Sequence, residues 1–370
     1  MDTAYKDLSL PQRVLLGPGP SNVPERVMKA MASPVVGHLD PAFLAVMEEV
    51  QEMLQSVFMT KNRFTIPISG TGSAGMEAAL VNVIEEGDHV LVCVSGVFGE
   101  RMCDIVGRCG GILKRVDTKW GTPIDPDDVT EALKEFPAKI VAIVHAETST
   151  GVLQPLEEIS KIVHEKDALF LVDAVTSLGG APLKIDDWNV DVCYSGTQKC
   201  LSCPPGLAPI TFSPLAVETL RNRSQKVQSW YLDMTMLEKY WGPDRVYHHT
   251  APISMVYAIR ESLRIVLEEG LTNRWERHSA YHRDLVSALE KLGLTMLVEE
   301  SYRTPMLNSV VIPPDVDDVS VRKRLLEEYN TEIGSGLGPL KGKIWRIGLM
   351  GHSCTQENVE HIVNALKALL

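Results

Sequence analysis

Between residues 64 and 212, short apolar runs alternate with stretches of helical spacing, and this alternation limits the fold more than any other feature of the chain. Such an order predicts an α/β domain: a mainly parallel sheet flanked by helical crossovers. Strands are predicted at Phe64–Ser69, His89–Val94, Ile112–Val116, Lys139–Ala146, Leu169–Val172, Val190–Ser195 and Leu207–Phe212. Ser73–Ile84, Glu100–Cys109 and Pro155–Lys166 read as helices between them, and Asp125-Pro126 opens another with proline just inside its start. After about residue 250 the pattern changes. Two long helices, Ala251–Glu268 and Asn273–Leu292, precede short strands at Thr295–Val298 and Ser309–Ile312. A helix over Val319–Tyr329, a strand at Ile344–Gly348 and a last helix from Thr355 complete a smaller α+β unit. The expected organisation is an N-terminal arm (1–20), a large domain (21–270) and a small C-terminal domain (271–370).

Charge narrows the partners. A formal net charge of -12 argues against nucleic acid and anionic membranes, which need a basic face, but leaves room for a local pocket binding a small anion. No apolar run approaches the roughly 18 to 20 residues of a membrane helix. Met1–Leu10 has no apolar secretory segment and Ala368-Leu369-Leu370 is no peroxisomal address. Seven cysteines, several in strand-like runs, suit reduced buried thiols, so the cytoplasm is expected. Cys200-x-x-Cys203 lacks the second ligand pair of a zinc site, and no metal is expected.

Ligands of α/β sheets gather at the carboxyl ends of strands, and the notable polar residues fall there. Ser69-Gly70-Thr71-Gly72-Ser73-Ala74-Gly75 enters a helix with free backbone N–H groups and hydroxyls, which suits a phosphate, although a tight strand–helix turn would look the same. It matches neither the Walker A loop nor the dinucleotide fingerprint. Asp173 follows Leu169–Val172; a carboxylate there needs a cation or several donors, whether as a helix cap, an ion pair or the partner of a protonated ring nitrogen. Lys199, in Ser195-Gly196-Thr197-Gln198-Lys199, follows a buried strand 26 residues after Asp173. A desolvated lysine of depressed pKa can form an imine. Arg346 sits inside the apolar Ile344-Trp345-Arg346-Ile347-Gly348 and needs an anion, either a structural carboxylate or that of a substrate.

Phosphate loop, ring-facing aromatic, strand-end aspartate, Ser/Gly-flanked lysine and late arginine form the layout of fold-type I pyridoxal-phosphate enzymes. The chain resembles the class V aminotransferases, and among them the alanine–glyoxylate and serine–glyoxylate (serine–pyruvate) group. The resemblance runs from Leu16-Gly17-Pro18-Gly19-Pro20-Ser21 to Arg346-Ile347-Gly348-Leu349-Met350-Gly351. It is carried most clearly by Ser195–Lys199, Thr148-Ser149-Thr150-Gly151, Val172–Gly180, Tyr247-His248-His249-Thr250 and Gly334–Pro339.

The resemblance implies that pyridoxal 5'-phosphate forms a Schiff base with Lys199 while Asp173 pairs with its ring nitrogen. Thr71, Gly72, Ser73 and Gln198 would hold the phosphate, and Thr148 would reach the ring's phenolic oxygen. Tyr247 and Thr250 would reach the phosphate of a second copy, which implies a homodimer with shared sites. Arg346, helped by the backbone around Gly19, would bind the carboxylate of amino acid and 2-oxo acid substrates. The ring-stacking position, often Trp in relatives, is Phe98, which keeps an apolar face and loses an N–H. Transfer from L-alanine or L-serine to glyoxylate is the expected reaction. Other donors (3-hydroxykynurenine, 2-aminoethylphosphonate, ureidoglycine) are the nearest alternatives. A cysteine desulfurase is disfavoured because Ser335–Lys343 holds no cysteine. Glu147 is a candidate supporting group and His38 a candidate at the entrance. His248 and His249 read as packing or interface residues rather than bases, and Arg322-Lys323-Arg324 as a solvated face.

Overall fold

The computed structural model describes residues 5–370; the first four residues of the expected N-terminal arm lie outside the described residues. Seven strands form the central sheet, in the spatial order Phe64–Ser69, Leu207–Phe212, Val192–Tyr194, Leu169–Asp173, Ile140–Val144, His89–Val94, Ile112–Asp117. Six run in one direction, while Leu207–Phe212 is antiparallel to both its neighbours, so the sheet is mixed and mostly parallel. The strands Ile140–Val144, Leu169–Asp173 and Leu207–Phe212 are buried at every residue, as strands covered by helices on both faces must be.

Helix boundaries follow local chemistry. Pro41–Phe58 begins on Asp40, whose carboxylate accepts the Ala42 N–H at 2.8 Å, with Pro41 at the first position. Phe43, Met47, Val50, Leu54 and Val57 recur at helical spacing and are buried against Ile253–Glu269. This helix, like Glu25–Met31, Pro214–Arg221 and Met234–Trp241, was not anticipated from the sequence, although Asp40-Pro41 repeats the Asp125-Pro126 start signal. Gly270, at φ +80°, separates Ile253–Glu269 from Leu271–Lys291 in a backbone conformation that favours glycine.

Buried apolar side chains form two main clusters. One spans Val27 to Val266 around the central sheet; the other joins Leu16 to residues 285–366. The second core lies on an antiparallel sheet ordered Thr295–Met296, Leu307–Val311, Ile344–Gly348, Gly334–Ser335. In Ile344–Gly348, Trp345 and Ile347 enter this core, so the two-residue period turns Arg346 to the opposite face. A third, small cluster of Ala146, Ala181, Cys200, Met306, Leu307 and Met350 bridges the two bodies next to Lys199. The N-terminal segment belongs structurally with the C-terminal unit: Val14–Leu15 pairs in parallel with Thr331–Glu332, and Gly348 N–H donates to Leu16 at 2.8 Å. That docking lays Pro18–Pro20 over Lys199. Among the described residues no helix is long and apolar enough to cross a membrane.

Asn82 pins the segment before Met234 to the helix Gly72–Val83. Its amide donates to Leu232 O at 2.7 Å and accepts the Met234 N–H at 2.9 Å, all buried. Asn82→Ala strands both backbone groups, and we expect it to cost about 2 to 4 kcal/mol, seen as a lower melting temperature. An unchanged melting temperature would contradict the pinning role.

Candidate active site

Asp173 ends its strand in register with Tyr194 on the next strand, so the two side chains share a face. The Tyr194 hydroxyl donates to Oδ2 at 2.7 Å, and the Val175 N–H to Oδ1 at 2.8 Å. Burial pushes the carboxyl up to about 6, against the pull of these two donors. Neither Tyr194 nor Val175 was singled out from the sequence; the partner of a strand-end carboxylate becomes visible only once strand register is known.

Lys199 is buried, and its Nζ donates to the Pro18 carbonyl. Burial first, and the Arg346 cation second, push its ammonium down to about 8. Asp173 acts on it through space, yet among the described residues no ion pair within 4 Å joins them. Gly19, at φ +106°, lies so close that a Cβ there would sit 2.6 to 2.9 Å from the Lys199 side chain. Two residues further on, the chain binds the backbone: Ser21 N–H donates to Gln198 O at 2.9 Å and Ser21 Oγ to Lys199 O at 2.8 Å, clamping the peptide that bears the lysine.

Thr71 stands at the N-terminus of Gly72–Val83 and its side chain makes no capping bond, which leaves first-turn N–H groups to a ligand. Ser73 is exposed and accepts from Arg101 Nη1 at 3.1 Å; the same guanidinium lies 5.1 Å from the centre of the half-buried Phe98 ring. Arg101 is thus a cation at this loop that sequence reasoning missed, since one arginine in an amphipathic helix carries no distinguishing signal. Gln198 Oε1 is buried with no hydrogen-bond partner.

Arg346 is buried, with Nε on Ser335 O at 2.7 Å and Nη1 on Thr148 O at 3.1 Å. Among the described residues no carboxylate lies within ion-pair distance, so the structural salt bridge is not what occupies it. Burial pushes its pKa down to about 10, with Glu147 pulling it back up. Thr148 is buried beside Glu147, which is itself 1% exposed. Asp173, Lys199, Gly19, Gln198, Thr148 and Arg346 therefore converge where the two cores meet.

Tyr247 and Thr250 are not brought into this cleft by any hydrogen bond among the described residues. Both are exposed; the Tyr247 ring packs 5.3 Å from His38. His248 stacks on Trp230 at 4.5 Å, and His249 Nε2 lies 2.7 Å from Ser69 Oγ, at the head of the Thr71 loop. Arg322 departs from the expected solvated face: it pairs with Asp318 at 2.8 Å, and that carboxylate also accepts from Trp345 Nε1 and Ser335 Oγ.

A mostly parallel sheet carrying a buried aspartate at one strand end and a buried lysine past the next defines a fold-type I transferase. The chain belongs to the class V aminotransferase family, whose profile ("Aminotransferase class-V") matches residues 13–362. It is 42% identical to the (S)-ureidoglycine–glyoxylate transaminase of Bacillus subtilis strain 168, across 99% of this chain and 92% of that protein. It is 41% identical to the alanine–glyoxylate aminotransferase of Callithrix jacchus, across 99% and 89%. The crystal structure of alanine–glyoxylate aminotransferase from Nostoc sp. superposes with a TM-score of 0.98 at 49% identity, covering 99% of this chain and 97% of that one.

The depressed Lys199 pKa has a direct readout. Only the neutral amine attacks an electrophile, so in cofactor-free protein Lys199 labelling by a small acylating reagent should rise through pH 8 and level off above it. Solvated lysines, with a pKa of about 10.4, should keep rising well beyond that point. Gly19→Ala should displace the Lys199 side chain and abolish the plateau near pH 8. Peptide mass spectrometry over a pH series checks both, and a Lys199 profile matching surface lysines would disprove the buried amine.

Proposed function

We propose that this chain is a pyridoxal 5'-phosphate-dependent aminotransferase, working as a homodimer, that moves the amino group of L-alanine or L-serine to glyoxylate. The products are glycine and pyruvate or hydroxypyruvate. The observation that carries this reading is Arg346: a buried guanidinium without a carboxylate partner, set across from a buried amine of lowered pKa. Such a cation suits a bidentate bond to the carboxylate shared by amino acids and 2-oxo acids.

The residues present fit the cofactor. The partnerless amide of Gln198 and the uncapped helix start at Thr71, Gly72 and Ser73 offer donors to a phosphate, a side-chain amide being free to turn its NH2 inward. Phe98 offers an apolar face to the ring and Thr148 a hydroxyl to its phenolic oxygen. Asp173 holds a proton on the ring nitrogen. When bound, pyridoxal phosphate supplies the electron sink that stabilises a carbanion at the substrate Cα. Lys199 would hold the cofactor through its amine, and as a free amine it would carry the proton away from Cα, for which a pKa near 8 is well matched to neutral pH. Arg346, with the backbone at Gly19, fixes the substrate carboxylate and so orients the Cα–H bond toward Lys199.

(S)-Ureidoglycine is the second donor to weigh, because the Bacillus subtilis relative named for it is as similar to this chain as the alanine–glyoxylate enzymes are. A desulfurase reading lacks its nucleophile: Cys354 is buried, follows Arg346, and its thiol is pushed up to about 12 by burial. Seven free cysteines, six of them buried, suit a reducing compartment, and we place the enzyme in the cytoplasm.

Purified protein loaded with cofactor should change its visible spectrum with alanine, serine or (S)-ureidoglycine, and should form glycine once glyoxylate is added. If none of the three does either, the substrate assignment fails. Lys199→Ala should still bind cofactor, without a covalent bond, and should lack transamination; near-normal turnover would refute the lysine's role.

The exposed Tyr247 and Thr250 support sites shared between two copies. Mixing inactive Lys199→Ala protein with impaired Tyr247→Ala protein should therefore restore activity. Random exchange leaves half the dimers mixed with one intact site each, about a quarter of wild-type sites. No recovery after verified subunit exchange would mean that each site is complete within its own chain.

A further inference from the structure

We infer that Glu147 is a positioning residue that locks the Phe98 side of the cleft to its Thr148–Arg346 side. The proposal rests on the cofactor reading above, because it concerns what holds the ring-facing residues.

Glu147 is a buried carboxylate with no cation within 4 Å among the described residues, and no step of the reaction uses it. Such a group is costly unless its oxygens are satisfied, and here every partner is a donor. Oε1 accepts the Ser149 N–H at 3.0 Å and the Ser149 hydroxyl at 2.6 Å. Oε2 accepts the Phe98 N–H at 3.2 Å. The Ser149 hydroxyl in turn accepts the Val97 N–H at 3.0 Å.

Val97 and Phe98 open the twelve-residue helix Val97–Arg108, whose N-cap, Gly96, has no side chain to offer. The capping is delegated to Glu147 and Ser149, and an anion at this end is favoured by the helix dipole. Gly96 is needed for space rather than conformation. Its φ of 173° is ordinary extended backbone, but a Cβ would fall 2.5 Å from the Glu147 side chain. Thr148, between the two capping residues, presents its carbonyl to Arg346 Nη1 at 3.1 Å. One short segment thus sets the backbone of the ring-facing aromatic, the hydroxyl at the ring edge and the substrate-binding guanidinium.

Glutamine cannot substitute. It has one acceptor oxygen, so if that oxygen serves Ser149, the NH2 group faces the Phe98 N–H donor. In cofactor-free Glu147→Gln protein, amide exchange at Val97 and Phe98 should accelerate by about tenfold or more. The dissociation constant for pyridoxal phosphate should rise by about tenfold, and KM for alanine and glyoxylate should rise more than kcat falls. The melting temperature should stay within a few degrees of wild type. Ser149→Ala, which keeps the carboxylate and removes one link, should show the same pattern more weakly; it decides the matter if Glu147→Gln does not fold. Wild-type exchange at the two amides together with wild-type cofactor affinity would overturn the proposal.

Phe98→Ala separates this inference from the reading beneath it. If that variant binds pyridoxal phosphate as tightly as wild type, the Phe98 assignment falls and the proposal with it. If Phe98→Ala loosens the cofactor while Glu147→Gln does not, only the role of Glu147 is refuted.

Discussion

An ammonium and a carboxylate buried in one cleft attract each other strongly, and everything around Lys199 and Asp173 serves to keep them from meeting. Asp173 is held back by the Tyr194 hydroxyl and the Val175 N–H. Lys199 is held by the Pro18 carbonyl and by Ser21, which clamps the peptide on either side of it. Both groups pay for burial by moving toward neutrality, the acid up to about 6 and the amine down to about 8. Both shifts have the same cause, the cost of holding a charge away from water.

The clamp on the amine comes from far away in the chain. Pro18–Ser21 reaches Lys199 because the segment before it is stitched to the C-terminal unit through Val14–Leu15 and Gly348. Arg346 reaches the same cleft from that unit because it lies opposite Trp345 and Ile347 on one strand. The small cluster around Cys200, Met306 and Met350 seals the two bodies beneath the lysine. The cleft is therefore built at the junction of the two bodies.

The alternation of apolar runs located the seven central strands within a few residues, because strands covered on both faces must be apolar throughout. Leu207–Phe212 and Ile344–Gly348 agree at both ends. Lys139–Ala146 was read as one strand, whereas Ile140–Val144 alone joins the sheet: His145 ends it by donating its N–H to Asp173 O and turning inward toward Ser177. Four α-helices passed unnoticed, Glu25–Met31, Pro41–Phe58, Pro214–Arg221 and Met234–Trp241, in stretches where turn residues and apolar positions intermingle. The antiparallel course of Leu207–Phe212 left no trace in composition, since a buried strand reads the same in either direction.

Residue types and their order were enough to single out Asp173, Lys199 and Arg346 as chemically unusual, because a charge within an apolar run has a desolvation cost whatever the fold. Which of their competing roles holds was a matter for tertiary structure. Arg346 could equally have met a carboxylate from anywhere in the chain, and only packing shows that it meets two carbonyls instead. Tyr194, Arg101 and the linking carboxylate of Glu147 follow the same rule. Their significance lies in neighbours 21, 28 and 49 positions away, in distances set by strand register and helix docking. A one-dimensional pattern records which groups are costly to bury; three-dimensional contact decides what compensates them.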